Sequence, residues 1–435
     1  MRAVDVIIKK RDGGTLSRAE LDYFVNGFVA GTVKEEQMAA FLMAVYYKGM
    51  TKREISDLTD IMQHSGDEIR FTDLARPSCD KHSTGGVGDK TTLVTAPIAA
   101  AAGVPVGKLS GRGLGFTGGT IDKLEAIPGF QTALSTEAFF RQVKEIGIAL
   151  AGQTANLVPA DKKMYALRDV TGTVESIPLI ASSIMSKKLA AGAGQIVLDV
   201  KFGSGAFMED PARAEELAKT MVEIGTGLDH PTVAVLSSME EPLGYAVGNA
   251  LEVQEAIRTL NGHGPEDLTV LSVTLAGLMI YLNGLSESIE EGKRKAAALL
   301  EDGSAWRKFQ ELVNAQGGHL NASMPVSDHV YKVTAKRAGF VERIEAKAVG
   351  HASMLLGAGR ETRDSLIDPA AGVELRKKIG DRVEEGETLA LLYCNDAGKE
   401  RAKEAAGELL DAYTIGNEEG IRPVLIRKII TGDDL

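Results

Sequence analysis

Cysteine is scarce in this chain of 435 residues, which contains two, Cys79 and Cys394. Two cysteines cannot form the disulfide framework of a small secreted domain, and their separation does not fit a metal site. The sequence therefore favours a reducing compartment, and we predict a cytoplasmic protein.

The chain also lacks an excess of basic residues and a long apolar run. Its 49 Lys and Arg are outnumbered by 60 Asp and Glu, which gives a formal net charge of −11. Nonspecific nucleic-acid binding requires a basic surface, so we expect no nucleic-acid partner, and any anion site must be local. The longest apolar stretch, residues 92–107, is interrupted by Pro97 and Pro105, so no membrane span is predicted.

The first 66 residues predict a small all-helical domain. Three segments begin with a hydroxyl residue that is followed three positions later by glutamate, the pattern of a capping box: Ser17 with Glu20, Thr32 with Glu35, and Thr51 with Glu54. Helix-periodic apolar residues and a glycine follow each box, as expected for helices that end at that glycine. Residues 1–14 are charged and strand-like.

From about residue 77, short apolar strands alternate with helical stretches, which predicts βαβ units and a largely parallel sheet. The predicted strands are 104–109, 148–152, 195–200 and 232–236, and the predicted helices are 91–102, 136–147, 211–224 and 242–260. We assign residues 77–160 and 192–330 to this large mixed α/β domain. Helices predicted at 161–169 and 177–191 interrupt it, and we expect residues 161–191 to return to the helical domain.

Residues 331–435 are richer in Val- and Gly-containing strands with turns, and we predict a C-terminal β-rich α+β region of barrel-sandwich type. Part of it, residues 373–392, resembles a biotinyl or lipoyl carrier module. A carrier needs an exposed acceptor lysine at a hairpin tip, and the sequence has no Met-Lys-Met-like tip there. We therefore interpret this region as structural.

The densest chemical signal is the glycine-rich segment 81–92, KHSTGGVGDKTT. Glycines let the backbone approach a ligand closely, and the helix predicted to begin near Thr91 would direct its positive N-terminus at the same place. Lys81 adds charge, and Ser83 and Thr92 add hydroxyl donors. The segment lacks the Gly-Lys-Ser/Thr order of a Walker P-loop. We interpret it as a phosphate site, and the alternative is a glycine-rich turn without a ligand.

A second segment, 108–120 (KLSGRGLGFTGGT), follows a predicted strand, where ligands collect in α/β sheets. It again supplies Lys, Ser, Thr and backbone amides, although its spacing fits a dinucleotide fingerprint poorly. Two such segments after adjacent strands predict one oxyanion held from both sides. The inserted helices add polar residues spaced to share helix faces: Tyr165, Arg168, Ser183, Ser186, Lys187 and Lys188. The alternative for these charges is a solvated surface.

These segments resemble the thymidine and pyrimidine-nucleoside phosphorylase family, over essentially the whole chain. Residues 110–125 resemble the family's signature, and residues 81–89 resemble its phosphate loop. Residues 165–169 and 182–188 resemble its base-binding helices, and residues 241–255 resemble a later motif. By length and pattern, the resemblance is strongest to the bacterial pyrimidine-nucleoside branch. Phe116 is a departure, because some relatives have histidine at that position.

The resemblance implies both the fold and the reaction. A small helical domain and a large α/β domain would enclose a cleft that closes, and two copies would form a homodimer largely through the helical domain. A pentosyltransferase of this family would catalyse reversible phosphorolysis of uridine, thymidine or deoxyuridine to the free pyrimidine base and (2-deoxy-)α-D-ribose 1-phosphate. A thymidine-specific phosphorylase is the alternative.

The resemblance also implies site residues. Those for phosphate are Lys81, His82, Ser83, Thr92, Lys108, Leu109, Ser110 and Thr120. Those for the pyrimidine are Arg168, Ser183 and Lys187, and the implied catalytic residues are His82, Arg168 and Lys187. No organic cofactor is expected. Some relatives bind a monovalent cation such as K⁺, and the matching positions here are Gly88, Lys90, Leu243, Ala246 and Glu255. Lys90 would serve only through its carbonyl, because an ammonium group repels a cation.

The residues agree with this chemistry. Breaking an N-glycosidic bond leaves the base anionic, and positive groups stabilise that charge where it develops. Phosphate is the nucleophile, so a Ser-His-Asp or Cys-His arrangement is not required. His82, with an unperturbed pKa of ~6.5, is expected to donate a proton or hydrogen bond to a base carbonyl. The rival enzyme class, an anthranilate-type phosphoribosyltransferase, needs Mg²⁺ and an acidic pair that these loops lack.

Overall fold

The computed structural model describes residues 1–113, 116, 118–154, 156–362 and 365–435. The chain opens with the helices α1 (Ala3–Arg11), α2 (Arg18–Val29), α3 (Glu35–Lys48) and α4 (Lys52–Gln63). Helices α2 and α4 begin as the sequence predicts, because Ser17 forms a complete capping box with Glu20, and Thr51 forms one with Glu54. The predicted N-terminal helical domain is confirmed.

The strand-like interpretation of residues 1–14 is wrong, because this segment forms α1. Its buried residues are Ala3, Val6 and Lys10, which recur at helical spacing rather than in alternation. Because one of these buried positions is a lysine, the apolar residues alone do not show the helical spacing. Lys10 is buried because its Nζ atom lies 2.8 Å from a carboxylate oxygen of Glu54.

The second predicted capping box also differs from the structure. Helix α3 begins after Lys34, and the hydroxyl of Thr32 instead donates to the carbonyl oxygen of Gly27 at 3.0 Å. The side-chain oxygen of Gln37 accepts from the backbone N–H of Lys34 at 3.0 Å. Thr32 therefore closes the preceding turn, and Gln37 takes the role expected of Glu35.

The α/β domain contains two groups of parallel strands. Its elements are β1 (Cys79–Ser83), α5 (Thr91–Ala101), β2 (Val106–Ser110), α6 (Thr120–Glu125), α7 (Thr136–Ile146), β3 (Ile148–Gly152), α8 (Pro159–Thr171), α9 (Ile177–Ala190), β4 (Gln195–Phe202), α10 (Pro211–Gly227), β5 (Thr232–Ser238), β6 (Ala246–Val247), α11 (Asn249–Leu260), α12 (Glu266–Leu282), α13 (Ile289–Glu301) and α14 (Ser304–Ala315). Strands β1, β4 and β5 pair in parallel in that order, and β2 pairs in parallel with β3. The N–H of Cys79 donates to the carbonyl oxygen of Pro105 at 2.8 Å, which places the start of β1 beside the start of β2.

The C-terminal region is rich in strands, as predicted. Its elements are β7 (His329–Thr334), β8 (Gly339–Ile344), α15 (Ala346–Ser353), a π-helical turn (Met354–Ala358), β9 (Gly372–Leu375), β10 (Arg382–Val383), β11 (Thr388–Cys394), α16 (Asp396–Lys399), α17 (Ala402–Ala412), β12 (Tyr413–Gly416), β13 (Ile426–Ile430) and a 3₁₀ turn (Gly432–Asp434). Most of the strands form two antiparallel sheets, ordered β6-β9-β11-β7 and β10-β8-β12. Strand β6 of the α/β domain pairs with β9, so backbone hydrogen bonds join the α/β domain to this region.

The last strand departs from the predicted domain boundary. Strand β13 pairs in antiparallel orientation with β5, with Ile430 opposite Ala234, so it forms the edge of the parallel sheet. A division at residue 331 places this strand in the C-terminal region, but its hydrogen-bonding partner lies in the α/β domain. Its apolar pattern predicts a strand without indicating which sheet receives it.

Helices α8 and α9 connect the N-terminal helical domain with the α/β domain. Helix α8 packs against α2, α3 and α4, while α9 packs against both α4 and α10. The apolar side chains of Met164 and Leu179 share a core with Phe24 and Phe41 of the N-terminal helices. The inserted helices therefore carry their polar residues to a position beside the carboxyl ends of the parallel strands.

We predict that Lys10→Ala lowers the free energy of unfolding by about 3–5 kcal/mol, because it leaves the Glu54 carboxylate buried without its cation. Urea unfolding followed by circular dichroism measures the change. Arg11→Ala is the matched control, since Arg11 pairs with Asp12 on the surface. Equal losses in the two variants would contradict the importance of the buried pair.

Candidate active site

A cleft of about 470 Å³ lies between α8 and α9 on one side and the ends of β1 and β2 on the other. Of the residues predicted to bind phosphate, its wall contains His82, Ser83, Thr92, Lys108, Leu109, Ser110 and Thr120. Of those predicted to bind the base, it contains Lys187. Leu114, Gly115 and Thr117 of the second glycine-rich segment lie outside the described residues.

The backbone between β1 and α5 reverses so that its amides border the cleft. Gly85 and Gly88 have φ angles of +89° and +72°, a region that favours glycine. In the second glycine-rich segment, a Cβ atom on Gly119 would lie 2.2 Å from the backbone nitrogen of Gly113. The backbone conformation therefore favours glycine at positions 85 and 88, and the close approach of backbone to backbone requires glycine at position 119.

Lys81 lies behind the cleft rather than on its wall. Its Nζ donates to the hydroxyl of Thr91 and lies 3.5 Å from a carboxylate oxygen of Asp199. Side chains alternate along an extended strand, so Lys81 and His82 face opposite sides of β1, and His82 is the one that borders the cleft. The ammonium of Lys81 therefore supports the start of α5 and acts on the cleft through its charge.

Asp89 lines the cleft, although no motif in the sequence indicated a role for it. Its carboxylate accepts from the hydroxyl of Ser83, from the hydroxyl of Thr91 at 2.6 Å and from the N–H of Thr91 at 3.2 Å. Burial raises the pKa of Asp89, but nearby lysines, first among them Lys81, outweigh this effect and hold it well below its usual value. The Ser83 hydroxyl, expected to donate to phosphate, donates to Asp89 in this structure.

Two lysines of the wall share one buried carboxylate. Nζ of Lys188 lies 2.8 Å from Oδ2 of Asp80 and donates to the carbonyl oxygen of Leu109 at 3.2 Å. Nζ of Lys108 lies 3.5 Å from Oδ1 of Asp80 and donates to the carbonyl oxygen of Lys81 at 2.6 Å. Burial lowers the pKa of Lys108 to about 7. The Asp80 carboxylate opposes this shift, and the charges of Lys188 and Lys81 add to it. An arriving anion would favour the charged form of Lys108.

His82 faces the cleft as a neutral imidazole. Burial lowers its pKa well below the usual value, and the four ammonium groups around it lower it further: Lys188, Lys108, Lys81 and Lys187. The expectation of an unperturbed pKa of ~6.5 is therefore wrong, because the sequence does not show that these lysines converge. A neutral ring still donates one N–H hydrogen bond.

Lys187 is the cation that faces the glycine-rich segments from α9. Its Nζ donates to Oδ2 of Asp161 at 2.6 Å and to the hydroxyl oxygen of Ser183 at 3.0 Å. An ammonium group has three N–H donors, so among the described residues one is left for a ligand. Ser183 does not line the cleft and instead holds Lys187 in place. Asp161 was missed, although it shares a helical face with Tyr165.

Arg168 is turned away from the cleft. Its guanidinium donates to the backbone carbonyl oxygens of Thr173 at 3.2 Å and Val174 at 2.6 Å, between α8 and α9, and of Leu179 at 3.2 Å in the first turn of α9. The side chain is buried, and burial lowers its pKa. Arg168 therefore does not line the cleft in this conformation, and its contact with the base stays a prediction.

Two ion-pair networks that the sequence did not reveal hold the glycine-rich segments. Arg360 of the C-terminal region donates to both carboxylate oxygens of Asp122, at 2.9 and 2.8 Å, and to the carbonyl oxygen of Gly113 at 2.9 Å. Lys123 lies 2.8 Å from the carboxylate of Glu252 and donates to a carbonyl oxygen of the first segment at 2.7 Å. No local pattern identifies such partners, because Arg360 and Asp122 are 238 positions apart.

The positions predicted to hold a monovalent cation do come together, but around an ammonium group. Nζ of Lys90 donates to the carbonyl oxygens of Leu243 at 2.9 Å and Ala246 at 2.7 Å, and to the Glu255 carboxylate at 2.6 Å. Gly88 lies against them, since a Cβ atom there would be 2.7 Å from the oxygen of Leu243. Contrary to expectation, Lys90 contributes its side chain, and the residues present do not fit a further cation.

Three further features concern metal ions, membranes and cysteines. The described ranges contain no cluster of three or more His, Cys, Asp or Glu placed to hold a metal ion. Within those ranges, none of the helices has the length and apolar character needed to cross a bilayer. Cys79 and Cys394 are both free and buried.

The whole chain resembles enzymes of known activity. Its residues 4–66 and 75–306 match the helical bundle domain and the a/b domain of a glycosyl transferase family, and residues 340–416 match the pyrimidine nucleoside phosphorylase C-terminal domain. The pyrimidine-nucleoside phosphorylase of Bacillus subtilis is 50% identical over 99% of this chain and 100% of that protein. That of Geobacillus stearothermophilus is 49% identical over 98% and 99%, respectively. The chain belongs to the pyrimidine-nucleoside phosphorylase family of pentosyltransferases.

A solved structure supports the fold. Anthranilate phosphoribosyltransferase from Thermus thermophilus matches with a TM-score of 0.58 at 22% identity, over 72% of this chain and 99% of that one. At this identity the likeness concerns the fold alone, and the match confirms the α/β architecture described above.

We predict that His82 titrates below pH 6.5 in the free protein and that phosphate raises its pKa, because an anion opposes the field of the surrounding lysines. NMR of histidine-labelled protein across pH measures both values, and His82→Asn assigns the signal by removing it. The exposed His263 is the internal control, whose signal should not move when phosphate is added. A His82 pKa at or above 6.5 without phosphate would contradict the electrostatic argument.

Proposed function

We propose that this chain catalyses the reversible phosphorolysis of pyrimidine nucleosides to the free base and a pentose 1-phosphate. The observation that carries the proposal is one cleft in which two glycine-rich segments face the ammonium group of Lys187. Such a cleft offers positive charge both to an attacking anion and to an anionic leaving group. The names of the curated relatives support the same reaction.

Phosphate binds, in this proposal, among the amides and hydroxyls of the two segments. Thr92 lies in the first turn of α5, whose N-terminal dipole favours an anion, while Ser110 and Thr120 border the same space. The carboxylate of Asp89 does not exclude phosphate, because the O–H of a hydrogen phosphate ion can donate to it. Lys108 and Lys188 supply positive charge from the wall of the cleft, and Lys81 adds positive charge from behind it.

The base binds toward α8 and α9. Lys187 directs its remaining N–H at the base, where negative charge develops as the glycosidic bond breaks. His82 donates a hydrogen bond from its neutral ring to a base carbonyl, and bound phosphate raises its proton affinity. Arg168 acts by holding the segment that follows α8, through the carbonyl oxygens of Thr173, Val174 and Leu179.

The reaction needs no protein nucleophile and no organic cofactor. A phosphate oxygen forms a bond to the anomeric carbon as the bond from that carbon to the base nitrogen breaks. The electron pair of the broken bond stays on the base, and the base takes up the proton that the attacking phosphate loses. The protein orients the two substrates and stabilises the separated charges.

Uridine, thymidine and deoxyuridine are the proposed substrates. Each is incubated with the protein in the presence of EDTA, with and without phosphate, and release of base is measured. We expect phosphate-dependent release from all three. Release from thymidine alone would favour the thymidine-specific alternative, and no release from any of them would overturn the proposal.

We predict that Lys187→Ala lowers kcat by about 10²–10³-fold, the loss expected when one group that stabilises developing charge is removed. The KM for phosphate should change little, because Lys187 lies on the opposite side of the cleft. Lys144→Ala, on the exposed surface of α7, is the control. Unchanged kcat with a raised nucleoside KM would assign Lys187 to substrate binding only.

We also infer a homodimer formed through the N-terminal helices, and a cytoplasmic location that agrees with the free cysteines. Helices α1 and α3 pack together, and they expose the apolar side chains of Val4, Ile8, Tyr46 and Tyr47. Sedimentation velocity should show a dimer that Tyr47→Glu weakens. Val326→Asp, at an equally exposed apolar residue of the C-terminal half, should leave it intact. A monomeric wild-type protein would contradict this interface.

A further inference from the structure

The site around Lys90 joins three parts of the fold. Lys90 is the residue before α5, at the end of the first glycine-rich segment. Leu243 lies on the turn before β6, Ala246 is the first residue of β6, and Glu255 lies in the middle of α11. The ammonium group therefore connects the segment beside the cleft to a turn and a helix of the α/β domain.

The ammonium group leaves no unused donor in this site. Its three N–H donors match three acceptors, two carbonyl oxygens and one carboxylate oxygen, within 2.6–2.9 Å. The carbonyl oxygen of Gly88 accepts from the backbone N–H of Lys90 at 3.0 Å. The side chains of Lys90 and Glu255 are 0% and 2% exposed. One positive charge thus balances one buried negative charge.

The neighbouring backbone is shaped to this arrangement. Gly244 has a φ of +68°, and a Cβ atom there would lie 2.3 Å from a carboxylate oxygen of Glu255 and 3.2 Å from Nζ of Lys90. The backbone N–H groups of Tyr245 and Ala246 also donate to that carboxylate, at 3.1–3.2 Å. The turn therefore wraps around the ion pair closely, and a second cation would meet both a like charge and occupied oxygens.

We propose that the Lys90 ammonium group permanently replaces a monovalent cation at this site, so that assembly of the phosphate-binding segment in this chain does not depend on K⁺. Carbonyl and carboxylate oxygens of this kind are suitable ligands for an alkali cation. A covalently attached ammonium supplies the same charge at the same place without an equilibrium with free ions. Lys90 is a positioning residue, because it acts on phosphate through the backbone that it anchors.

The test compares the wild type with Lys90→Ser and Lys90→Met in choline chloride and in KCl at equal ionic strength. Lys90→Ser removes the charge and opens space beside three oxygens. Lys90→Met removes the charge but fills the space with an apolar chain of similar length. The readouts are the midpoint of thermal unfolding and, because this arm rests on the proposed function, the KM for phosphate and kcat in phosphorolysis.

We expect the wild type to give the same values in both salts. In choline chloride, Lys90→Ser should show a phosphate KM raised on the order of tenfold with a smaller change in kcat, and K⁺ should reverse this change and raise the unfolding midpoint. Lys90→Met should not respond to K⁺.

Several outcomes would overturn the proposal: a wild-type protein stabilised or activated by K⁺ relative to choline, a folded Lys90→Ser variant that K⁺ leaves unchanged, or a Lys90→Ser variant unfolded in both salts. The unfolding midpoint requires no substrate. If the wild type shows no phosphorolysis in either salt, the proposed function fails and the thermal comparison still decides the role of Lys90.

Discussion

The cleft depends on the neutralisation of buried lysine charge. Lysines 81, 90, 108, 123, 188 and 201 are nearly inaccessible to solvent, and each lies within 4 Å of a buried carboxylate. An unpaired charge at such depth would be prohibitively costly, so these carboxylates are a condition for the fold itself. They come from β1, β4 and α11, and for this reason the ion pairs also fix the glycine-rich segments relative to the sheet.

The groups that face the cleft are incompletely compensated. Lys108 shares Asp80 with Lys188, and its pKa falls to about 7. His82 remains neutral in the same field. The excess positive charge of the cleft therefore favours binding of an anion. A bound anion would raise the pKa of Lys108 and of His82 and so change their protonation. Electrostatic preorganisation of this kind needs no motion of the charged side chains once the substrates are in place.

The sequence predicted the parts of the structure that depend on local pattern. Capping boxes located α2 and α4, and glycine spacing located both segments of the cleft, because backbone chemistry acts within a few residues. The pairing of distant charges was not predictable: the buried position of Lys10 concealed the period of α1, and nothing near Arg360 indicated Asp122. The orientation of Arg168 depends on carbonyl oxygens of a neighbouring turn. For Lys90, the resemblance predicted the neighbours correctly, but only the structure showed which of its groups points at them.

The edge position of β13 has a consequence for how the chain folds during synthesis. Ile430 pairs with Ala234, which lies 196 positions earlier in the chain. Until β13 leaves the ribosome, the outer edge of β5 has unpaired backbone groups and exposes a surface on which another strand can add. Contacts of such long range form late and slowly. Strand β13 thus completes the sheet of the α/β domain, and the nascent protein passes through a stage in which that domain is open to misassembly.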